Sequence, residues 1–289
     1  MTFFELWKWG ESRLADAGIR EADLDAKYLL LEAFEMDLAH FLLKEQEQVP
    51  STDGRTREYS DAVSARASRV PLQYLTGKQD FMGLTFCVDE RVLIPRQDTE
   101  TLAELVLKEN REKEISLLDL CTGSGCLAVS LAVLGGYEDV DAGDISPDAL
   151  EVAKENSRRL GAKVRFYEGD LFAALDGEKA YDVIVSNPPY IPTEVIEGLE
   201  PEVRDYEPRM ALDGDEDGLA FYRRLAEESP AHLKPGGRLY LEIGWDQGEA
   251  VEELLRDNGF EKTEVVKDDA GNCRVVRGEK PAAGILAGG

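Results

Sequence analysis

The run Leu117-Leu118-Asp119-Leu120-Cys121-Thr122-Gly123-Ser124-Gly125-Cys126-Leu127-Ala128 restricts the fold more than any other segment, because it carries an apolar strand into a glycine turn and then into a helix. Glycines at 123 and 125 let a ligand approach the backbone. A nucleoside site of this kind needs a carboxylate about 20 residues further on, at the end of the next strand, to accept ribose hydroxyls. Asp144 closes the strand-like run that starts at Val140. The spacing Gly123-x-Gly125-x-x-Ala128 also satisfies the dinucleotide fingerprint, so an NAD site competes with other nucleoside ligands.

The same alternation continues downstream. Strands are expected at Ser116 to Leu120, Val140 to Asp144, Lys163 to Tyr167, Tyr181 to Ser186, Arg238 to Ile243, Thr263 to Lys267 and Arg274 to Arg277, with helices starting at Gly125, Pro147, Gly218 and Gln247. Strands alternating with helices predict an α/β fold with a mostly parallel sheet covered on both faces. The closing hairpin makes one strand antiparallel. Upstream, from Phe3 to Arg69, apolar residues recur at helical spacing: Leu24, Tyr28, Leu31 and Phe34 form one stripe, and Tyr59, Val63 and Ala67 another. Between these two, Pro50 to Gly54 breaks the pattern, and Thr52 or Asp53 is placed to cap the next helix. Runs at Phe81 to Val88 and Arg91 to Ile94, separated by Asp89-Glu90, predict a β-hairpin. The expected organisation is a helical bundle over 1–70, a hairpin linker over 71–96, the α/β domain over 97–279, and a mobile tail over 280–289 that is rich in Pro, Ala and Gly.

Charge narrows the partners. The 289 residues carry 59 acidic against 33 basic side chains, a formal charge of -26, which repels phosphate backbones and anionic lipid. Direct nucleic-acid and membrane partners are disfavoured. The four cysteines, at 87, 121, 126 and 273, lack paired metal spacing and are expected to be reduced thiols, with no metal. No run reaches membrane-spanning length and Met1 to Gly10 lacks a signal-peptide pattern, so a cytoplasmic protein is expected.

A second motif supplies chemistry. Tyr181 to Ser186 runs directly into Asn187-Pro188-Pro189-Tyr190. Proline at 188 biases Asn187 toward extended geometry, and the two prolines lack N–H donors while keeping their carbonyls. The Asn187 side-chain oxygen and the Pro188 carbonyl can accept both hydrogens of a planar NH2 group, aiming its nitrogen at a transferable group. Tyr190 offers a stacking face for a substrate and for a cation. Gly169-Asp170-Leu171-Phe172 follows the third strand, where Asp170 can accept from an adenine amino group or simply cap a turn. His40 and His232, the only histidines, lie in no motif.

With these elements the chain resembles the glutamine N5-methyltransferases that modify peptide chain release factors. The likeness covers nearly the whole chain. It includes Pro71 to Gly77, Phe81 to Phe86, Val92-Leu93-Ile94-Pro95-Arg96-Gln97-Asp98-Thr99-Glu100, Asp119 to Gly125, Asn187 to Tyr190, Tyr206-Glu207-Pro208, Glu242-Ile243-Gly244 and Asp269 to Val275. The resemblance implies a class I S-adenosylmethionine methyltransferase domain, Rossmann-like, preceded by a helical domain that helps recognise the release factor. It implies S-adenosylmethionine held by Cys121, Thr122, Gly123, Ser124, Gly125, Asp144, Asp170, Leu171 and Asn187. The glutamine of a Gly-Gly-Gln tip would be held by Asn187, Pro188, Pro189 and Tyr190, with Asn187, Pro188 and Tyr190 as catalytic residues. A monomer acting on a protein substrate is expected. Gln97 stands where the family pattern has proline, and Cys121 where glycine is often found. Arg96 and Glu100 are read as a structural Arg-carboxylate pair or as substrate contacts. The Asn-Pro-Pro-Tyr loop by itself also fits adenine N6 methylation of DNA, and a non-catalytic nucleoside-binding module is the reading from another class.

Overall fold

The computed structural model describes residues 1–49, 54–175 and 179–282. Thr52 and Asp53, the expected caps, lie outside these, as does the expected tail from 283 onward. In chain order the helices are α1 (Phe3–Asp16), α2 (Ala22–Ala33), α3 (Leu38–Lys44), α4 (Gly54–Ala67), α5 (Leu72–Thr76), α6 (Gln97–Glu109), α7 (Cys126–Gly135), α8 (Pro147–Leu160), α9 (Pro201–Arg204), α10 (Ala220–His232) and α11 (Gly248–Asp257). The strands are β1 (Lys78–Phe81), β2 (Leu84–Cys87), β3 (Ser116–Leu120), β4 (Asp139–Asp144), β5 (Val164–Glu168), β6 (Tyr181–Ser186), β7 (Leu233–Glu242), β8 (Glu261–Lys267) and β9 (Cys273–Glu279). Two compact units result, one of Met1–Lys78 with Glu200–Tyr206, the other of Gln79–Leu199 with Glu207–Gly289.

The first unit is helical. Helix α1 starts on a capping box, in which the Thr2 side chain accepts from Glu5 N and the Glu5 side chain accepts from Thr2 N. Its core joins Leu6, Leu14, Ala26, Leu29, Leu30, Phe41, Tyr59 and Val63. The α4 stripe through Tyr59 and Val63 is buried as its spacing requires. The α2 stripe is not the expected one: Leu24 and Tyr28 are 44% and 54% exposed, and the buried face runs through Ala22, Asp25, Ala26, Leu29 and Leu30. Consecutive leucines at 29, 30 and 31 leave the helical phase open, and two partners decide it. Ala26 lies beside Gly10 where α1 approaches, and Asp25 Oδ2 accepts from Arg66 Nε at 2.7 Å. Arg66 also donates to Glu202 Oε1 at 3.0 Å, which ties the Glu200–Tyr206 segment into this unit.

In the second unit the hairpin turns earlier than expected. It pairs β1 with β2 around Met82-Gly83, and Arg91 to Ile94 forms no strand. Both turn residues have positive φ, +52° and +74°, matching the right-handed twist of a two-residue hairpin. Glu100 Oε1 accepts from Met82 N at 2.6 Å and so supports a conformation that a non-glycine residue rarely adopts.

The main sheet has seven strands in the order β5-β4-β3-β6-β7-β9-β8, parallel except that β9 runs antiparallel to both its neighbours. Every residue of β3 is buried, because a central parallel strand is covered on both faces. Alternation sends Leu117, Val183 and Tyr240 into a core with α6 and α7, and Leu118, Ile184 and Leu239 into one with α10 and α11. Each such apolar side chain contributes roughly 1.5–3 kcal/mol on burial. Lys280, expected to open the tail, is held instead: its N donates to Gly237 O at 2.8 Å and its Nζ to Leu233 O at 2.6 Å. No helix among the described residues is long and apolar enough to cross a membrane.

Candidate active site

The chain leaves β3 toward β4 and β5 on one side and reaches β6 and β7 on the other, so strand order reverses at the β3–β6 pair. Ligands of open α/β sheets bind outside the carboxyl ends at such a reversal. The loops after β3, β4, β5 and β6 meet there around a cavity of about 310 Å³, within the usual size of small-molecule sites.

The loop after β3 is shaped by its own polar groups. Asp119 Oδ2 accepts from the Thr122 hydroxyl at 2.6 Å and from Ala128 N at 3.2 Å, tying the strand end to the first turn of α7. Burial pushes the Asp119 carboxyl up to about 7. Cys121 has φ +59°, which accounts for the glycine often found at this position. Gly125 has φ +79°, and a Cβ there would lie 3.1 Å from that of Ala153, so the close approach of α8 requires glycine. Asn156 of α8 donates to Ser124 O at 2.9 Å and to Cys87 O at 3.0 Å, clasping the loop and the end of β2.

Of the residues expected at the cofactor, Cys121, Gly123, Asp144, Asp170, Leu171 and Asn187 line the cavity. Thr122 and Ser124 are buried behind it, and with Gly125 they shape the loop without facing the cavity. Asp144 Oδ2 accepts from Gly123 N at 2.8 Å and Oδ1 from Ser146 N at 2.9 Å, leaving the remaining lone pairs for a diol. Burial raises the Asp144 carboxyl above its ordinary value, partly offset by those amides. Asp170 differs from expectation in having a cation: Arg224 NH1 donates to its Oδ1 at 3.0 Å. Arg224, Phe221 and Met210 complete the wall and had no motif to announce them.

Asn187 follows β6 and lines the cavity with Pro189, whereas Pro188 and Tyr190 do not face it. Asn187 Nδ2 donates to the Thr99 hydroxyl at 3.3 Å, which leaves Oδ1 as an acceptor. The loop is clamped from behind. Tyr190 O accepts from Gln247 Nε2 at 3.0 Å, and a Cβ on Gly214 would lie 2.7 Å from Tyr190 Cα. The Tyr190 ring is partly buried against the α10–α11 core, which pushes its hydroxyl up to about 12. Thr99 lay in the segment carrying the resemblance; Gln247 and Gly214 gave no signal, because their partners are far away in sequence.

Arg96 and Glu100 do not pair with each other. Arg96 NH2 donates at 2.5 Å to Glu207, whose side chain is 1% exposed, while Glu100 serves the hairpin turn. The Tyr206-Glu207-Pro208 segment thus supplies the carboxylate, because Glu100 points from α6 to Met82.

Comparison with known proteins points to methyltransferases. A family profile described as PrmC N-terminal domain matches residues 5–77, and one described as methyltransferase small domain matches residues 97–197. The chain is 41% identical over 277 residues to the release factor glutamine methyltransferase of Geobacter sulfurreducens, covering 96% of each chain. It is 46% identical over 267 residues to that of Moorella thermoacetica, covering 91% of this chain and 93% of the relative. Among solved structures, a methyltransferase from Pyrococcus furiosus shares the fold with TM-score 0.54 at 21% identity, over 75% of this chain and 99% of the other.

Proposed function

The chain belongs to the release factor glutamine methyltransferases, and from that premise we propose that it methylates N5 of the glutamine in the Gly-Gly-Gln motif of a peptide chain release factor, with S-adenosylmethionine as donor. The cavity suits that cofactor better than a dinucleotide. The N–H groups of Gly123, Gly125 and Ala128 are already taken by Asp144, Thr122 and Asp119, so the glycine loop has few donors for a pyrophosphate and carboxylates that repel one. Asp144 would hold the ribose hydroxyls, and Cys121, Gly123 and Leu171 the rest of the nucleoside and its chain. Asp170, already paired with Arg224, keeps an oxygen for the adenine amino group.

The bound cofactor supplies a methyl group on a positively charged sulfur. Asn187 and Pro188 do the positioning: Asn187 Oδ1 and the Pro188 carbonyl accept the two hydrogens of the glutamine NH2. A neutral amide nitrogen is a weak nucleophile, and acceptors on both N–H bonds polarise it as well as orient it. Pro189 at the cavity wall supplies apolar surface for the side chain, and Tyr190, packed against the α10–α11 core, holds the loop in place. The helical segment 1–70 is assigned to recognition of the release factor, 71–96 to the linker and 97–279 to catalysis. The net charge of -26 supports a protein substrate in the cytoplasm, without direct nucleic-acid contact, and a monomeric enzyme.

The observation that carries this reading is Asn187 at the cavity wall with its NH2 spent on Thr99 and its oxygen left over. The test is mass spectrometry of a release factor after incubation with the protein and S-adenosylmethionine. One added methyl on the Gly-Gly-Gln glutamine is expected. A methyl on any other residue, or none, overturns the reading.

A further inference from the structure

Two charged side chains of the cavity wall are paired with each other, and nothing in the transfer step uses the cation. Strands β4 and β5 are parallel neighbours with Asp144 opposite Glu168, and Gly169 N donates to Asp144 O at 3.0 Å. The backbone thus carries Asp170 past the end of β5, beside the residue assigned to the ribose. Asp170 precedes the short helical turn Leu171–Ala174, but its side chain does not cap that turn. Its Oδ1 accepts instead from Arg224 NH1 at 3.0 Å, and both residues line the cavity.

Arg224 stands on α10 one turn after Phe221, which also lines the cavity, while Tyr222, Leu225 and Ala226 turn to the core. Glu228, one turn further on, faces it as well, with Oε1 3.6 Å from Arg224 Nε. The guanidinium is therefore shared by two carboxylates. Both members of the Asp170–Arg224 pair are half exposed, and ion pairs of that kind contribute little to stability.

What the pair supplies is direction. An aspartate alone on a turn moves among rotamers, whereas a charge-assisted hydrogen bond to one oxygen fixes where the other points. A nucleoside with its ribose hydroxyls at Asp144 brings its base toward the neighbouring strand end, where Asp170 stands. The amino group of adenine donates and a carboxylate only accepts, so the two match. An unpaired guanidinium on the same wall would set donors against that amino group. We propose that Arg224 is a specificity-determining residue for the cofactor: it locks Asp170 so that Oδ2 receives the adenine amino group, and Asp170 and Glu228 in turn occupy its own charge. This rests on the S-adenosylmethionine seat described under the proposed function and adds to it the residue that makes the seat selective for the base.

The test is calorimetry on the full chain with S-adenosylhomocysteine and with the analogue in which hydrogen replaces the 6-amino group. Wild type, Asp170→Ala and Arg224→Ala are compared, with circular dichroism to confirm that each folds. In wild type, loss of the amino group should weaken binding about 10-fold, the effect of one charge-assisted hydrogen bond. In Asp170→Ala the two ligands should bind alike within about twofold, and in Arg224→Ala the penalty should shrink to about threefold, because the acceptor is present but unfixed. Arg224→Met, which keeps an apolar stem on α10 without the charge, should give the same reduced ratio as Arg224→Ala. If Arg224 only anchored α10, both ligands would weaken together and the wild-type ratio would persist in Arg224→Met, which overturns the assignment of Arg224 while leaving Asp170 at the base. Equal affinity of the wild type for the two ligands overturns both assignments, and leaves standing the glutamine reading, which mass spectrometry of the release factor tests separately.

Discussion

The two ends of the same parallel sheet bury carboxylates in opposite ways. At the amino end, Asp141 accepts from Arg165 Nε at 2.6 Å, Lys179 Nζ at 2.8 Å and Tyr181 OH at 2.8 Å. Asp182 accepts from Lys234 Nζ, Ser116 N and Ser116 Oγ within 2.9 Å. At the carboxyl end, Asp119 and Glu242 are almost fully buried, and each keeps one oxygen without a partner among the described residues. The electrostatics follow. Burial raises the Asp182 carboxyl but Lys234 and Ser116 outweigh it and hold it below its ordinary value, whereas burial dominates at Asp119 and Glu242 and pushes both up to about 7. One edge has its charges neutralised and is built for stability. The other holds unspent hydrogen-bonding capacity, which costs stability.

The comparison breaks most decisively at Asn187. Asn187→Ala should lower methyl transfer about a thousandfold, since it removes orientation and an electrostatic contact together, while S-adenosylhomocysteine still binds in calorimetry. Transfer at the wild-type rate would show that the carboxyl edge does not use this acceptor. Asp144→Asn should weaken S-adenosylhomocysteine about 30-fold, near 2 kcal/mol, because a charged acceptor for a diol becomes neutral, with little change in the urea midpoint. The amino edge should behave in reverse. Asp141→Asn is expected to lower unfolding stability by about 1–2 kcal/mol, less than a wholly buried pair because Arg165 and Lys179 reach solvent, and to leave cofactor affinity alone. Equal effects of the Asp144 and Asp141 changes on stability would erase the distinction.

The smallest effect is a difference in pH dependence. The lowered folded-state value of Asp182 contributes stability that is present above its unfolded value and lost as pH falls through the folded one. The raised values of Asp119 and Glu242 act oppositely: between about 4 and about 7 the folded state keeps protons that the unfolded state releases, so stability falls as pH rises. Urea unfolding of Asp182→Asn should show less loss on acidification than wild type, and Glu242→Gln less loss between pH 5 and 8. Identical pH profiles for these two variants would show that the edges do not differ in this way.

Much of this was legible in the residues. The strand-turn-helix run at Leu117 to Ala128, Asp144 about 20 residues on, and Asn187 after an apolar strand are local patterns, because a strand, a turn and a proline-restricted residue depend on their immediate neighbours. The seven-stranded sheet follows from their repetition. What failed was also local in form but decided at a distance. Three consecutive leucines in α2 admit more than one helical phase, and the contact with Gly10 and the Arg66 ion pair selected the one that exposes Leu24 and Tyr28. The hairpin turned at Met82-Gly83 because Glu100 stabilises a left-handed Met82. By itself the sequence determined the order of the main-sheet elements, the glycine loop after β3 and the proline-restricted Asn187 after β6. Only the tertiary structure decided that Thr99 stands beside Asn187, that Arg224 meets Asp170 and that Glu207 pairs with Arg96, because a side chain's hydrogen-bond partner is set by which strand ends and helices become neighbours, which no local spacing records.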